Sequence, residues 1–178
     1  RTWDLRLDIK LRSGEFPGGR MSDNHPTDSF WTGIGVKKYV HPESRGYVAS
    51  RTIQYPYPLI RLADLYLLAA EAYNEYYGPG QVAYDDYLNK IRRRAGLPDV
   101  EQVWSDATIV NTVGKHTTKE GLREIIQHER LLELSFESQS YYDILRWKRA
   151  DEFYTRPVRG WNAPDGKTAD SFYQVITW

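Results

Sequence analysis

The sequence contains no cysteine among its 178 residues. Disulfide frameworks, thiolate zinc sites, cysteine nucleophiles and lipid attachment through cysteine are therefore excluded within this chain. Long apolar runs are absent too, because no stretch approaches the roughly 18 apolar residues of a membrane-spanning helix. The first residues, RTWDLRLDIK, lack the apolar core of a signal peptide. We therefore expect no membrane-spanning helix in these residues.

An excess of charge of one sign is also missing. Lysine and arginine number 24, aspartate and glutamate number 24, and the formal net charge is zero. The one notable run of like charge is Arg92-Arg93-Arg94. A nucleic-acid partner is not expected, since phosphate binding requires a concentrated basic surface.

Motifs for metal, nucleotide or nucleophilic chemistry are not found. The four histidines are scattered, and none falls into a metal-ligand spacing. Gly33-x-Gly35 lacks the third glycine of a nucleotide fingerprint and is interpreted as a turn. No Gly-x-Ser-x-Gly elbow occurs. The sequence therefore predicts neither metal nor cofactor, and no catalytic residue is assigned from these motifs.

What the sequence does contain is many aromatic rings. There are 14 tyrosines and 6 tryptophans, and aromatics make up 14% of a chain that is 40% hydrophobic. Much of the core must therefore be built from rings with polar tips. Trp104 and Trp147 are interpreted as core residues. The length corresponds to about one domain.

Hydrophobic periodicity predicts two helical hairpins. A buried helix is expected from Pro58 to the Gly78-Pro79-Gly80 stop, and a second from about Gln81 to Ala95. Residues 99–116 are predicted to be loop. A third helix, capped by Thr117 and Glu120, should run to about Glu137, and a fourth should end near Ala150. The predicted fold class is all-α, with tetratricopeptide-like antiparallel helix pairs and long irregular flanking loops.

Three regions follow from this pattern. Residues 1–57, rich in Gly, Pro and Asn, are predicted to form an irregular or extended arm that contributes to a ligand-facing surface. Residues 58–150 should form the two hairpins, 58–96 and 117–150. Residues 151–178 are predicted to be a loop tail, truncated within a terminal strand, FYQVITW.

The stretch HERLLELSFESQSYYDILRW raises the question of catalysis. Glu129, Glu133 and Glu137 recur at every fourth residue and share one helix face. A glycosidase needs two carboxyl groups facing each other across a substrate gap of about 5 to 9.5 Å, and one regular helix surface leaves no room for a sugar between them. We therefore predict a structural ion-pair network rather than an active site. Its expected members are Arg61, Glu71, Glu129, Arg130, Glu133, Glu137 and Arg146.

The helical blocks PLIRLADLYLLAAEAYNE, AYDDYLNKIRRRAGLPDV and LREIIQHERLLELSFESQSYYDILRWKRA resemble the C-terminal half of the SusD/RagB family of outer-membrane nutrient-binding lipoproteins. TGIGVKKYV resembles the segment that leads into those helices. The resemblance implies a tetratricopeptide-like superhelix at the surface of a Bacteroidetes-type cell. It also implies a SusC-type TonB-dependent transporter as partner, a glycan or peptide ligand, no bond cleavage, and membrane attachment only through a lipid anchor absent from this chain.

The chain departs from the family pattern at one motif. The family usually shows Glu-Gly-x-Arg before its Tyr/Phe-Asp-x-x-Arg-Trp block, whereas this chain has Glu137-Ser138-Gln139-Ser140. One usual glycine and one usual arginine are therefore replaced. The amino-terminal half of such proteins and their closing segment have no counterpart here, so we expect a fragment of a longer protein.

Two loops are candidates for sugar binding, because a sugar needs an aromatic platform with hydrogen-bonding neighbours. One is NHPTDSFWTG, with Trp31, His25 and Asp28. The other is RGWNAPDG, with Trp161 and Asn162. Each tryptophan has the alternative role of anchoring its loop to the helical core.

Three functions remain open from the sequence. The preferred one is a non-catalytic cell-surface subunit that captures an oligosaccharide or peptide at the outer membrane. The second is a tetratricopeptide-like adaptor that binds a peptide or partner protein. The third is an α-helical glycosidase that uses the glutamates.

Overall fold

The computed structural model describes residues 9–11, 34–36, 38–39, 41, 53–54, 56, 58–162 and 168–177. Contacts divide the chain into two compact units. The first is built mainly on Pro56–Asp143, and the second on Asp8–Tyr55 together with Ile144–Trp178. The two units are defined by contacts between residues, so they do not test the three regions expected from the sequence. Those regions stay a prediction.

The first unit is helical. It contains α1 (Leu62–Tyr77), a π-helical segment (Val82–Leu88) continued by α2 (Asn89–Arg94), α3 (Val100–Ser105), a 3-10 turn (Lys115–Thr117) and α4 (Lys119–Glu133). Helix α1 packs against both the π segment and α4. Helix α5 (Gln139–Arg146) follows and straddles the boundary between the units.

The core of the first unit lies where these helices meet. Its buried apolar side chains come from α1, the π segment, α2, α3 and α4. Tyrosines and Trp104 pack around it partly buried, which confirms the assignment of Trp104 to the core. The fully buried members are Leu67, Ala70, Leu88, Val100, Leu122 and Ile126.

Helix α1 differs from its predicted form in two respects. It begins at Leu62, not at Pro58, because Arg61 has extended backbone angles and precedes the first turn. It is also not buried all round: Leu62 is 60% exposed and Leu65 51% exposed. The prediction of a buried helix is confirmed for the face that carries Leu67, Ala70 and Asn74, and it was wrong for Leu62 and Leu65.

Other helix boundaries also differ from the predicted ones. The loop predicted for residues 99–116 contains α3, and Thr118 rather than Thr117 caps α4, its hydroxyl accepting a hydrogen bond from the Gly121 amide at 3.1 Å. Helix α4 ends at Glu133 instead of Glu137. The chain then turns through Phe136 and Ser138, both with left-handed φ values, of 63° and 65°. Helix α5 ends at Arg146, not near Ala150.

The second unit contains the strands. Strand β1 (Ile9–Leu11) pairs antiparallel with β2 (Ile34–Val36), and β3 (Arg159–Trp161) with β4 (Val175–Thr177). Strand β4 lies in the terminal stretch that was predicted to be a strand. Most of the predicted arm, residues 1–57, lies outside the described residues. Two short helices, α6 (Ala150–Tyr154) and α7 (Ala169–Phe172), lie in the predicted loop tail, so that prediction was wrong there.

Helices dominate the described residues, and the strands form two-stranded ladders only. The expected all-α class is confirmed. Among the described residues, none of the helices combines the length and the apolar character that crossing a lipid bilayer requires.

Candidate ligand-binding site and ion-pair network

The arginine that precedes α1 contacts one glutamate at the end of α4 and a second in the turn that follows. Arg61 Nε and Nη2 donate to the Glu137 carboxylate at 2.8 and 2.6 Å. Its Nη1 donates to Glu133 Oε1 at 2.9 Å, and Nη2 also reaches the Glu133 carbonyl at 3.0 Å. Burial lowers the pKa of Arg61, but these hydrogen bonds outweigh it and raise that pKa above its ordinary value. The contact is a bidentate charge-assisted one, the strongest kind in this class.

Two glutamates of α4, Glu129 and Glu133, accept hydrogen bonds from arginines of α2. Arg92 Nη1 donates to Glu129 Oε1, and Arg92 Nε donates to the Pro98 carbonyl at 2.8 Å. Arg94 Nη2 donates to Glu133 Oε1 at 2.5 Å. The side chains of Glu129 and Glu133 are only 4% and 2% exposed. Both carboxylates therefore lie inside the helical packing.

Arg130, in α4, is buried between two aspartates. Arg130 has a side chain 2% exposed; its Nε donates to Asp143 Oδ2 at 2.9 Å, and its Nη2 lies 2.9 Å from Asp64 Oδ1. This arrangement ties α1, α4 and α5 together. A buried cation needs such partners, because an unpaired one would carry a large desolvation cost.

A more exposed pair joins the far end of α1 to α4. Arg123 donates through Nε and Nη2 to both carboxylate oxygens of Glu75, at 2.5 and 2.7 Å. The hydrogen bond from Arg123 holds the pKa of Glu75 below its ordinary value, against the opposing effect of burial. Glu71 adds a favourable charge near Arg123.

Some of the predicted network residues contact one another, and others contact residues that were not predicted. Arg61, Glu133 and Glu137 lie together, whereas Glu129 and Arg130 have partners that the sequence did not suggest. Arg146 packs over the ring of Trp147, 5.0 Å from its centroid. The partners missed from the sequence are Asp64, Arg92, Arg94 and Asp143. Arg92 is buried, whereas Arg93 and Arg94 are exposed. The position of Arg92 on the inward face of its helix was therefore the signal that could have identified it as a partner.

Of the candidate sugar-binding residues, Trp161 and Asn162 lie on the β3–β4 hairpin of the second unit. Trp161 is half-buried and meets Tyr173 edge to face, with ring centroids 5.1 Å apart and planes at 84°. The backbone N–H of Asn162 donates to the backbone carbonyl of Gln174 at 3.0 Å. Tyr173 was not predicted, and its side chain is 43% exposed. Trp31, His25 and Asp28 lie outside the described residues.

No group of three or more metal-ligating side chains occurs among the residues that the structure describes. The carboxylates described above have cationic neighbours instead. The described residues provide ion pairs inside the helical unit and an aromatic contact on the hairpin.

Comparison with known proteins places the chain in a family. A model of the SusD family matches residues 12–176. Two SusD-like proteins of Formosa agariphila are 39% identical over 89 residues and 35% identical over 95 residues. The first alignment covers 50% of this chain and 15% of that protein, and the second covers 53% and 17%.

Solved structures give the same result. A SusD-like carbohydrate-binding protein from Bacteroides fragilis is 28% identical with a TM-score of 0.64, covering 96% of this chain and 33% of that chain. A second SusD-like protein of the same species is 26% identical with a TM-score of 0.52, covering 86% and 27%. The chain therefore spans about a third or less of these relatives. Because the family model matches most of its length, the chain belongs to the SusD family.

Proposed function

We propose that this chain is part of a cell-surface subunit that binds oligosaccharides, without cleaving them, in an outer-membrane uptake system. The observation that carries the proposal is the edge-to-face pair of Trp161 and Tyr173 on the β3–β4 hairpin. Family membership supports it, since one solved relative is described as a carbohydrate-binding protein.

The chemistry of the hairpin suits a sugar. Sugars present apolar C–H faces ringed by hydroxyl groups, and an aromatic ring with hydrogen-bonding neighbours complements both features. Trp161 and the half-exposed Tyr173 supply the rings. Asn162 follows Trp161 directly and brings an amide side chain to the same hairpin. The backbone pairing of β3 with β4 places Trp161 opposite Val175, and the Asn162 backbone N–H donates to the carbonyl of Gln174, the neighbour of Tyr173.

The non-catalytic role is argued from the glutamates. Hydrolysis of a glycoside requires an acid and a second carboxylate on opposite sides of a bound sugar. Glu129 and Glu133 are buried and accept hydrogen bonds from arginines of α2 and from Arg61. Such carboxylates stabilise the helical packing and have no access to a substrate. This supports capture over the glycosidase alternative.

Family membership supports a proposal for the partner and the location. A capture subunit needs a route for its ligand across the outer membrane, and a SusC-type TonB-dependent transporter would supply it. We place the whole protein at the cell surface, attached to the outer membrane by a lipid anchor outside these residues. Co-purification of the full-length protein with such a transporter tests the partnership directly.

A binding screen tests the proposed ligand class. Neutral and acidic oligosaccharides from starch, xylan, β-glucan, mannan, pectin and alginate are titrated calorimetrically into the chain. For the sugar that binds, Trp161→Ala should weaken affinity at least about tenfold, which corresponds to the loss of about 1.4 kcal/mol. Trp161→Phe should keep part of the affinity.

The matched control is Tyr154→Ala, which removes a 58% exposed ring from α6 in the same unit and should leave the titration unchanged. Chromatography of the mixture after prolonged incubation should show intact oligosaccharide. Shortened products, or full affinity in Trp161→Ala, would count against the proposal.

A further inference from the structure

A chain of tyrosines leads from the core of the first unit to its surface. Tyr87 packs against Tyr73 with ring centroids 5.5 Å apart, and Tyr73 stacks on Tyr77 at 5.6 Å with planes at 29°. Tyr76 meets Tyr77 edge to face at 4.6 Å. The inner rings pack on the core and so fix the position of the outer ones.

The outer rings contribute little to folding. Tyr77 is 74% exposed and Tyr76 is 81% exposed. Because burial of apolar surface is what stabilises a fold, rings that remain this exposed gain little from it. Exposed aromatic rings that adjoin an apolar depression are typical of binding surfaces.

Such a depression lies beside Tyr77. It is a cavity of about 260 Å³ between the end of α1 and the start of the π segment, open to solvent on one side. The lining residues are Tyr73, Tyr77, Gly78, Pro79, Gly80, Gln81, Val82 and Ala83. None of these side chains carries a charge, and most of the lining is apolar.

One wall of the cavity is formed by the turn Gly78-Pro79-Gly80. Gly78 has φ 82° and ψ −174°, a backbone conformation essentially restricted to glycine, and its amide donates to the Asn74 carbonyl at 2.9 Å. Pro79 has its φ fixed by its ring. Beyond the turn, the Gln81 amide donates to Asp85.

Size and charge define the ligand that fits. Pockets for drug-sized ligands are about 300 to 1,000 Å³, so this cavity has room for one small ring, and its open side leaves space for a chain to continue. An uncharged lining favours a neutral ligand. The Tyr77 ring offers a stacking face, and tyrosine hydroxyls with the Gln81 amide offer hydrogen bonds at the rim.

We propose that this cavity binds a single neutral pyranose ring against Tyr77, giving the first unit a glycan contact of its own. The inference rests on the proposed function for its ligand class. It concerns a different site, because the cavity belongs to α1 and the π segment, whereas Trp161 belongs to the β3–β4 hairpin.

Amide NMR of the chain tests the site. Methyl glycosides of glucose, galactose, mannose and xylose, and the corresponding hexasaccharides, are titrated while the Gly78 and Gly80 resonances are followed. At least one neutral sugar should shift both resonances saturably. Tyr77→Ala should weaken that effect at least about tenfold, as expected for loss of a stacking partner. Tyr142→Ala, which removes another exposed tyrosine of the first unit, is the matched control and should leave it unchanged.

The two sites are separated by repeating the titration in Trp161→Ala. Persistent shifts at Gly78 and Gly80 in that variant support the cavity, even if the hairpin proposal fails. The cavity proposal is overturned if no sugar moves these resonances, or if Tyr77→Ala, folded by circular dichroism, responds like the unaltered chain. A response to a proline-rich peptide but to no sugar would also overturn it.

Discussion

Arg61 and Glu137 lie 76 residues apart in the sequence and are joined by two hydrogen bonds, of 2.8 and 2.6 Å. The same guanidinium group also reaches Glu133. One side chain therefore connects the residue before α1 to the end of α4 and to the turn that follows. Ion pairs of this kind contribute chiefly when they are buried and geometrically complete.

Replacing Arg61 should destabilise the first unit strongly. Arg61→Met keeps the aliphatic stem but removes the guanidinium group that donates to the Glu137 and Glu133 carboxylates. Breaking a largely buried pair, here with the Arg61 side chain 21% exposed and that of Glu137 8% exposed, costs about 3 kcal/mol, the lower end for buried pairs. We expect the free energy of unfolding in urea to fall by about that amount.

Arg156→Met provides the comparison, because the Arg156 side chain is 62% exposed and its pair with Glu152 lies at the surface. Exposed pairs contribute less than about 1 kcal/mol. Equal losses in the two variants would show that burial does not determine the strength of the Arg61 contact.

Glu133→Ala should also lower stability, and it separates the structural role of this residue from a catalytic one. Its side chain is 2% exposed and accepts hydrogen bonds from Arg61 and Arg94. Its removal leaves Arg61 with Glu137 as its remaining carboxylate partner and should cost about 2 to 3 kcal/mol. Calorimetry should show a lowered melting temperature, whereas an unaltered melting curve would refute the structural role. Sugar binding, measured below that temperature, should remain.

The spacing of the glutamates was informative, but their partners could not be derived from it. Periodicity places Glu129 and Glu133 on one helix face, and it also shows that α4 is amphipathic. Which arginine faces which glutamate depends on the packing of α2 and α1 against α4. That packing is a long-range property, so Arg92 and Arg94 were missed although they stand in a noticeable run.

The N-terminus of α4 gives a sharper test of local prediction. The Thr118 hydroxyl accepts from the Gly121 amide, whereas the Thr117 hydroxyl donates to the Gly114 carbonyl. Thr118→Ala should therefore cost about 1 kcal/mol, the usual loss for a helix cap, by chemical denaturation. Thr117→Ala should cost clearly less, since Thr117 does not cap the helix. A larger loss for Thr117→Ala than for Thr118→Ala would instead support Thr117 as the helix cap, as expected from the sequence.

Stability should depend on pH through Glu75. The hydrogen bond from Arg123 lowers the pKa of Glu75 in the folded chain, and an unfolded glutamate titrates at about 4.3. A carboxyl group whose folded pKa is lowered stabilises the fold above its unfolded pKa, and this contribution is lost as the pH falls through the folded value. The relevant window therefore begins near pH 4.3 and extends downward.

Carboxyl-carbon NMR titration measures this directly. The Glu75 midpoint should lie below that of an ordinary glutamate and should rise in Arg123→Gln. The unaltered chain should also lose more stability than the variant between pH 5 and the folded midpoint. An identical Glu75 midpoint in both proteins would contradict the assigned cause.

The candidate binding residues were predictable to different degrees. Trp161 and Asn162 stand out because an aromatic and an amide occur together in a loop rich in Gly and Pro. Tyr173 could not be linked to them, since the register of β3 against β4 is set between distant residues. The Tyr77 cavity was also missed. The Gly78-Pro79-Gly80 stop was recognised, but its shape depends on the π-helical segment that follows.

The turn after α4 shows how a family difference becomes a physical cost. Ser138 stands where the family pattern described in the sequence analysis would place a glycine, and its φ is 65°, in the left-handed region. Side chains are disfavoured there by about 1 to 2 kcal/mol per residue, whereas glycine adopts it freely. The turn must keep this shape because Glu137, its neighbour, is held by Arg61.

Ser138→Gly should therefore stabilise the chain, which few glycine substitutions do. Relief of the left-handed strain exceeds the added entropy of the unfolded chain, and the free energy of unfolding should rise by about 0.5 to 1 kcal/mol. Ser140→Gly, two residues later in the right-handed first turn of α5, should instead lower it by roughly 0.5 kcal/mol. Urea denaturation of both variants measures the two changes in the free energy of unfolding. Opposite signs are expected because the two serines differ in backbone conformation, and a loss at both positions would mean that Ser138 is held there without strain.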